Sequence, residues 1–410
     1  MSKYINSKIA FKVFKELYNE IYFVDKSNII NDFNKLLNKK RKYVCITKPR
    51  RFGKSSIATM LVSYYSKSVG TDFKEIFDYL EVSKGKSIDF DEKEREIKQY
   101  KKNLGSHHTI YINFLNCIEY NSINEYISLI NKEIKNDIEN LYPHSKTIIN
   151  YSDKLSENLL NLYLENNAQF IFIIDEWDCM FNNLKFSDKE KDEYIDFLNV
   201  LLNDQPYVTF AFMTGILPIS KKSCGSALNC FKEYSMLNDE KYYKYFGFTE
   251  KEVQTLCDLN GTIKYKDIKN WYNGYKSNNG EIIFNPWSVC NALEDNIINN
   301  YWIKTGPINE VANIIDFSIN GVKEDILKLI IGDKIPIELE GYDVEDEKNK
   351  FGKTDFIQND SDEFKKEKLY SAMVAYGLLT YYDGKIFIPN KEIFQIFKNS
   401  LRKNNDLIIY

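Results

Sequence analysis

The chain has 410 residues, with 55 Lys and Arg against 59 Asp and Glu, and a formal net charge of −4. Hydrophobic residues make up 43% and charged residues 28%, which excludes collagen-like, disordered and disulfide-scaffold classes and leaves a globular chain of two or three domains. The acidic balance also excludes coating of nucleic acid through net charge alone, though a local basic patch stays open.

Only Arg41, Arg50, Arg51, Arg95 and Arg402 are arginine, leaving 50 lysines. With abundant Asn, Ile and Tyr this resembles AT-rich coding bias, so each arginine invites a reason. Cys45, Cys117, Cys179, Cys224, Cys230, Cys257 and Cys290 form no CxxC pair and read as buried thiols in a reducing compartment. His107, His108 and His144 are too few and too poorly placed for a histidine metal site. The N-terminus lacks the unbroken apolar run of a signal peptide, and no run is long enough to span a bilayer. A cytoplasmic or nucleocytoplasmic protein with no membrane segment is the expectation.

Short apolar strands alternate with helical patterns over the first 240 residues, the α/β signature. Tyr43–Thr47 reads as a strand, followed by a loop and a helix over about 55–66. Charged residues 84–102 read as a solvated insertion, in part helical. Thr109–Phe114 reads as a second strand, and about 123–141 as an amphipathic helix. Phe170–Ile174 is an apolar run that fits a strand buried on both faces. Val208–Met213 and a short Tyr234–Leu237 complete the series.

After Phe248 the pattern is helical with few strands. Thr249 and Glu252 form a capping box, and Asn285-Pro286 supplies a cap and first-turn proline for a helix through about Leu293. Gly341–Glu363 reads as a long polar loop. A helix over Lys365–Leu378, a hairpin turning at Asp383-Gly384 and a last helix from Lys391 to about Arg402 suggest a winged-helix-like unit. The expected domains are 1–248, 249–340 and 341–410.

The loop after the first strand reads Thr47-Lys48-Pro49-Arg50-Arg51-Phe52-Gly53-Lys54-Ser55-Ser56. A phosphate loop needs a glycine that lets the backbone bend, a lysine for β- and γ-phosphates and a hydroxyl for Mg²⁺; Gly53, Lys54 and Ser55 supply them. The generic motif's first glycine is here Lys48. The third strand runs into Asp175 and Glu176, one carboxylate to hold Mg²⁺ and one to polarise an attacking water as general base. The fourth ends at Thr214, where a polar group could sense the γ-phosphate. Three functional positions thus fall at carboxyl ends of successive strands, where open α/β sheets bind ligands. Asp178 could support the loop after the acidic pair or cap a turn.

These residues resemble the predicted AAA-ATPase-like family. Tyr22–Ser27 (YFVDKS), Pro49–Ser55 (PRRFGKS) and Asp175–Asp178 (DEWD, with Trp for Tyr) match its blocks, as do Thr214–Lys221 and Phe246–Glu250. Trp271–Tyr275 (WYNGY), Asn285–Ser288 (NPWS) and Tyr301-Trp302 follow in family order, so the resemblance runs from about residue 20 to 400. It implies an α/β fold with an additional-strand, AAA-like P-loop NTPase core and parallel sheet, followed by a helical and winged-helix-like region. It also implies ATP with Mg²⁺. Pro49, Arg50, Arg51, Phe52, Gly53, Lys54, Ser55 and Ser56 would cradle the nucleotide, Ser55 and Asp175 would hold the metal, and Glu176 and Thr214 would be catalytic.

Many members continue into a PD-(D/E)XK nuclease-like domain. This chain stops about 20 residues after Ile388-Pro389-Asn390, so no nuclease is expected on it. An ATPase or ATP-driven switch is the first expectation; a nucleic-acid- or protein-binding module whose P-loop fold is structural is the alternative. One of Arg50 and Arg51 would contact phosphate or pair with an acid to stiffen the loop. Trp271, Tyr272, Tyr275, Trp287, Tyr301 and Trp302 read as packing between helices or as a stacking surface for bases. The C-terminal end could meet DNA or a protein partner, or act as a lid.

Overall fold

The computed structural model describes residues 2–67, 71–181, 185–219, 228–302, 315–351 and 361–403. Ser220, Lys221, Cys224 and the side chain of Arg402 lie outside the described residues. By internal contacts the chain divides into two units. One holds the residues up to Ile46, Lys54–Gly215 and Ile219–Glu233; the other holds Thr47–Gly53, Ile216–Pro218 and the described residues from Tyr234 onward.

The first unit is built on a sheet of β1 (Tyr43–Thr47), β2 (His108–Asn113), β3 (Phe170–Asp175), β4 (Val208–Gly215) and β5 (Lys232–Tyr234). Their order is β2-β3-β4-β1-β5, and β3 pairs in parallel with β2 and β4. Every residue of β3 and β4 is buried, which is why both read as apolar runs without alternation. Each Ile or Phe so buried contributes roughly 1.5–3 kcal/mol. β4 lies between β1 and β3, so an additional strand separates the strand feeding the loop from the strand ending in the acidic pair.

Helix Lys54–Tyr65 is buried along almost its whole circumference, from Ile57 through Tyr65. It contacts the sheet and helix Lys8–Tyr18, and a helix covered on two sides has no polar stripe to show. The chain ahead of residue 20, outside the recognised motif blocks, is thus part of this core. Its backbone N–H groups at Lys3, Tyr4 and Ile5 donate to the Asp137 carboxylate at 3.2, 2.9 and 2.8 Å.

Residues 84–102 are mostly exposed and in part helical, as expected, with Glu96 and Tyr100 as buried exceptions. Helix Phe90–Asn103 starts on Asp89, whose carboxylate accepts from Glu92 N–H, and its Glu96 is buried. Glu96 accepts from the backbone of Lys86 and Ser87 at 2.7 and 3.0 Å and pairs with Lys35 at 2.9 Å. β5 begins two residues ahead of the expected Tyr234.

In the second unit, the predicted capping box opens helix Glu250–Asn260, and Asn285 with Pro286 opens helix Pro286–Asp295. The expected helical region also contains an antiparallel sheet of β6 (Phe248–Thr249), β7 (Tyr275–Lys276) and β8 (Ile282–Phe284), in order β6-β8-β7. Helix Val344–Phe351 occupies part of the expected loop Gly341–Glu363; 352–360 lie outside the described residues. Nearer the C-terminus, β9 (Ile335–Pro336) pairs with the second strand of the predicted hairpin, β10 (Thr380–Tyr382) and β11 (Lys385–Phe387). The hairpin turns on Asp383 and Gly384, both at positive φ as a type I′ turn requires. Helices Asp362–Ala375 and Lys391–Lys403 flank it in sequence. Among the described residues no helix is long and apolar enough to cross a membrane.

Candidate phosphate-loop site

Parallel pairing sets the carboxyl ends of three strands level. Asn113 of β2, Asp175 of β3 and Thr214 of β4 occupy one row, so the register alone collects polar groups at the sheet's end. Helix Lys54–Tyr65 starts there, and a helix start, whose first-turn N–H groups lack partners within the helix, is a setting that suits an anion.

Lys54 is buried, and its ammonium lies 4.0 Å from Glu176 Oε1. Asp175 is fully buried; Tyr111 Oη and Asn113 Nδ2 donate to its Oδ2 at 3.4 and 3.3 Å, and Ser55 bonds it as well. Burial and then the neighbouring Glu176 push Asp175 up to about 6, against the pull of Ser55 and Lys54. Glu176 keeps a partly exposed carboxylate (24%) and a left-handed backbone with φ 51°. A non-glycine residue held there costs of order 1–3 kcal/mol, a pattern that clusters at functional sites. Tyr111 and Asn113 were missed in the sequence; the only sign was polar groups near the end of an apolar strand.

Thr214 is fully buried and its hydroxyl donates to Ile46 carbonyl at 2.7 Å, which ties β4 to β1. With its hydrogen so committed, the hydroxyl can only accept from any further partner. Asp178 is buried beside β4: a methyl group on Gly215 would stand 2.2 Å from Asp178 Oδ1, so position 215 admits no side chain. Asp178 therefore packs the segment after the acidic pair against the end of β4.

Within the second unit, the loop ahead of Lys54 is held by the motif blocks that follow in sequence. Arg51, with φ 70°, sets its guanidinium 4.6 Å over the Trp287 ring, and Phe52 meets Tyr275 edge-on at 5.0 Å. Gly247 N–H donates to Phe52 carbonyl at 3.0 Å, and Asn285 Nδ2 reaches Arg50 carbonyl at 3.5 Å. Pro49 is buried, while Arg50 is exposed. Arg51 thus lies on an aromatic face, with the Glu392 carboxylate near enough to oppose the lowering that burial imposes on it. Of the aromatic set, Tyr272, Tyr275 and Tyr301 are buried and Trp271 and Trp302 half-buried, as packing predicts, and Trp287 is 40% exposed beside Arg51.

The donors Ser55 and Asp175 are hard oxygen ligands, and a buried carboxylate displaced to about 6 beside a second one is relieved by a cation. Among the described residues no group of three or more His, Cys, Asp and Glu could hold a metal ion by itself. Mg²⁺ bound by one or two carboxylates and substrate phosphates needs no such cage, so the residues fit it. One result should follow without ligand. Asp175→Asn removes the desolvated charge and is expected to raise the melting temperature at pH 7.5 by on the order of 5 °C, from at most roughly 3 kcal/mol. A raised carboxyl value means that ionisation weakens folding as pH climbs from about 4 through about 6. The gain should vanish near pH 4 and be complete above pH 7, as differential scanning calorimetry of both proteins at matched pH can show.

The strand order, with the loop leaving β1 and the carboxylates ending β3, defines an α/β P-loop NTPase fold. A family model described as AAA-ATPase-like, predicted AAA-ATPase, matches residues 8–224, more than half of the sequence, and the chain belongs to that family. No curated protein matches it in sequence. Among solved structures, the Walker-type ATPase paby2304 of Pyrococcus abyssi aligns over 91% of this chain and 94% of its own, at 12% identity and TM-score 0.44. The Aeropyrum pernix ORC2 protein in ADPNP–ADP complexes aligns over 89% of each chain, at 11% identity and TM-score 0.33.

Proposed function

We propose that this chain binds ATP with Mg²⁺ at the carboxyl ends of β1, β3 and β4 and works as an ATPase or ATP-driven switch. The observation that carries the reading is the meeting of Lys54 and Ser55, from the helix start, with Asp175 and Glu176, from the end of β3. Lys54 exchanges its contact with Glu176 for the β- and γ-phosphates. The segment Pro49–Gly53 and the first-turn N–H groups of Lys54, Ser55 and Ser56 wrap the phosphates. Ser55 and Asp175 hold the cation. Bound Mg²⁺ offsets phosphate charge as a Lewis acid. Released from Lys54, Glu176 accepts a proton from the attacking water. Thr214 acts as a sensor if its hydroxyl leaves Ile46 for the γ-phosphate.

A thermal-shift series with ATP, ADP and GTP, each with Mg²⁺ or EDTA, tests this. Ligand at about 100 times its dissociation constant contributes about 2.7 kcal/mol, a rise of several degrees. Mg-ATP should raise the melting temperature of the wild type and leave Lys54→Ala unmoved. No shift of the wild type at millimolar Mg-ATP sinks the reading. A Mg-ATP shift without phosphate release favours the non-hydrolysing switch.

A further inference from the structure

The two lysines of the phosphate loop are used in opposite ways. Lys54 points its ammonium at the acidic pair. Lys48, where the generic motif has its first glycine, lies within the second unit and sets its ammonium 2.9 Å from Asp239 Oδ2 and 3.3 Å from Ser235 carbonyl. Both side chains are almost wholly buried, at 4% and 1% exposure. Burial pushes Lys48 below the usual lysine range while Asp239 opposes that shift.

Asp239 is itself fixed. Its Oδ1 accepts from Lys241 N–H at 3.0 Å and Tyr242 N–H at 2.6 Å, leaving Oδ2 aimed at Lys48. A buried ion pair adds little net stability over an apolar pair of similar size; its distinct contribution is to specify one arrangement. Here the arrangement specified is the course of the loop's first turn. Arg51 on Trp287 and Phe52 on Tyr275 hold the same loop further along.

We propose that Lys48 is a positioning residue for nucleotide: its ion pair with Asp239 sets the loop's opening turn, which a glycine would otherwise allow through backbone freedom. Asp239 lies outside every motif block, yet nucleotide affinity depends on it. The proposal rests on the reading that this loop holds nucleotide phosphates.

The test measures apo melting temperature and Mg-ATP affinity by calorimetry for wild type, Asp239→Asn, Lys48→Met, the double variant Lys48→Met/Asp239→Asn and Lys54→Ala. Asparagine still accepts the two backbone N–H groups but turns an amide donor toward Lys48. Each single variant should lose stability and bind Mg-ATP at least about tenfold more weakly, because the partner is left as an unpaired buried charge. The double variant buries no charge, so its melting temperature should recover while its affinity stays weak. Affinity that recovers along with stability assigns the pair a purely structural role and overturns the proposal; so does Asp239→Asn binding within about twofold of wild type. If a single variant does not fold, the double variant carries the comparison. Wild type that binds while Lys54→Ala does not, with the pair variants unchanged, sinks this proposal alone. Wild type that fails to bind sinks it together with the nucleotide reading.

Discussion

Glu176→Gln should bind Mg-ATP within about threefold of wild type and hydrolyse it on the order of 10²–10³-fold more slowly in single turnover, the usual worth of a positioned general base. The expectation follows from how the two adjacent carboxylates differ. Asp175 is fully buried and surrounded by Tyr111, Asn113 and Ser55, a place for a ligand that stays put. Glu176 has a left-handed backbone and remains partly open, with the Lys54 ammonium 4.0 Å from its Oε1. Glutamine keeps that shape and cannot accept a proton from water. It also removes the negative charge that helps to raise Asp175, so Mg²⁺ should have less proton competition in the variant near pH 6. Quench-flow of bound ATP with phosphate detection measures the rate, and calorimetry the affinity. Turnover within fivefold of wild type would remove Glu176 from the role of base.

The elements that could be read from sequence are those whose partners are local or whose burial is uniform. Phe170–Ile174 was legible because a strand covered on both faces needs apolar residues at every position. Thr249 with Glu252 and Asn285 with Pro286 were legible because caps act over three residues. The candidate loop and the acidic pair stand out in the sequence as polar groups at the ends of apolar runs.

What escaped depended on distant partners. Asp239 sits in the polar run Asn238-Asp239-Glu240-Lys241 and looks solvated, and only the fold brings it to Lys48. Glu96 looks like one charge among many on a charged helix, until Lys35 and two backbone N–H groups converge on it. β6, β7 and β8 have two or three residues each, too short for a period-2 pattern to register. The aromatic motif Trp271–Tyr275 was legible as packing, but not what it packs. Tyr275 reaches Gly377 carbonyl at 2.8 Å and its ring meets Phe52 of the phosphate loop.

Gly274→Ala in that motif is expected to cost more than about 4 kcal/mol, the range reserved for steric or backbone failure, out of the 5–15 kcal/mol that holds a typical domain. Gly274 lies at φ 140°, where side-chain-bearing residues are strained, and a methyl group there would stand 1.5 Å from Pro389 carbonyl oxygen and 2.5 Å from its carbon. The obstacle is backbone, and the neighbouring contacts prevent it from yielding. Tyr272 Oη donates to Asn299 carbonyl at 2.7 Å, Lys276 N–H donates to Thr380 Oγ1 at 2.9 Å, and Asn390 accepts from Ile393 N–H at 3.0 Å at the start of the last helix. Overlap must therefore be relieved by parting the chain at 274 from the chain at 389. A loss of this size lowers the melting temperature by roughly 8–16 °C in a unit of this size, or leaves the protein insoluble. Gly261→Ala separates the two causes. Gly261 has φ 71° at the end of helix Glu250–Asn260 but nothing within 4 Å of the added methyl, so backbone strain alone should cost about 1 kcal/mol. Calorimetric melting of the two variants side by side decides it: equal losses would mean that Pro389 moves aside and that the close approach at Gly274 does not hold the second unit together.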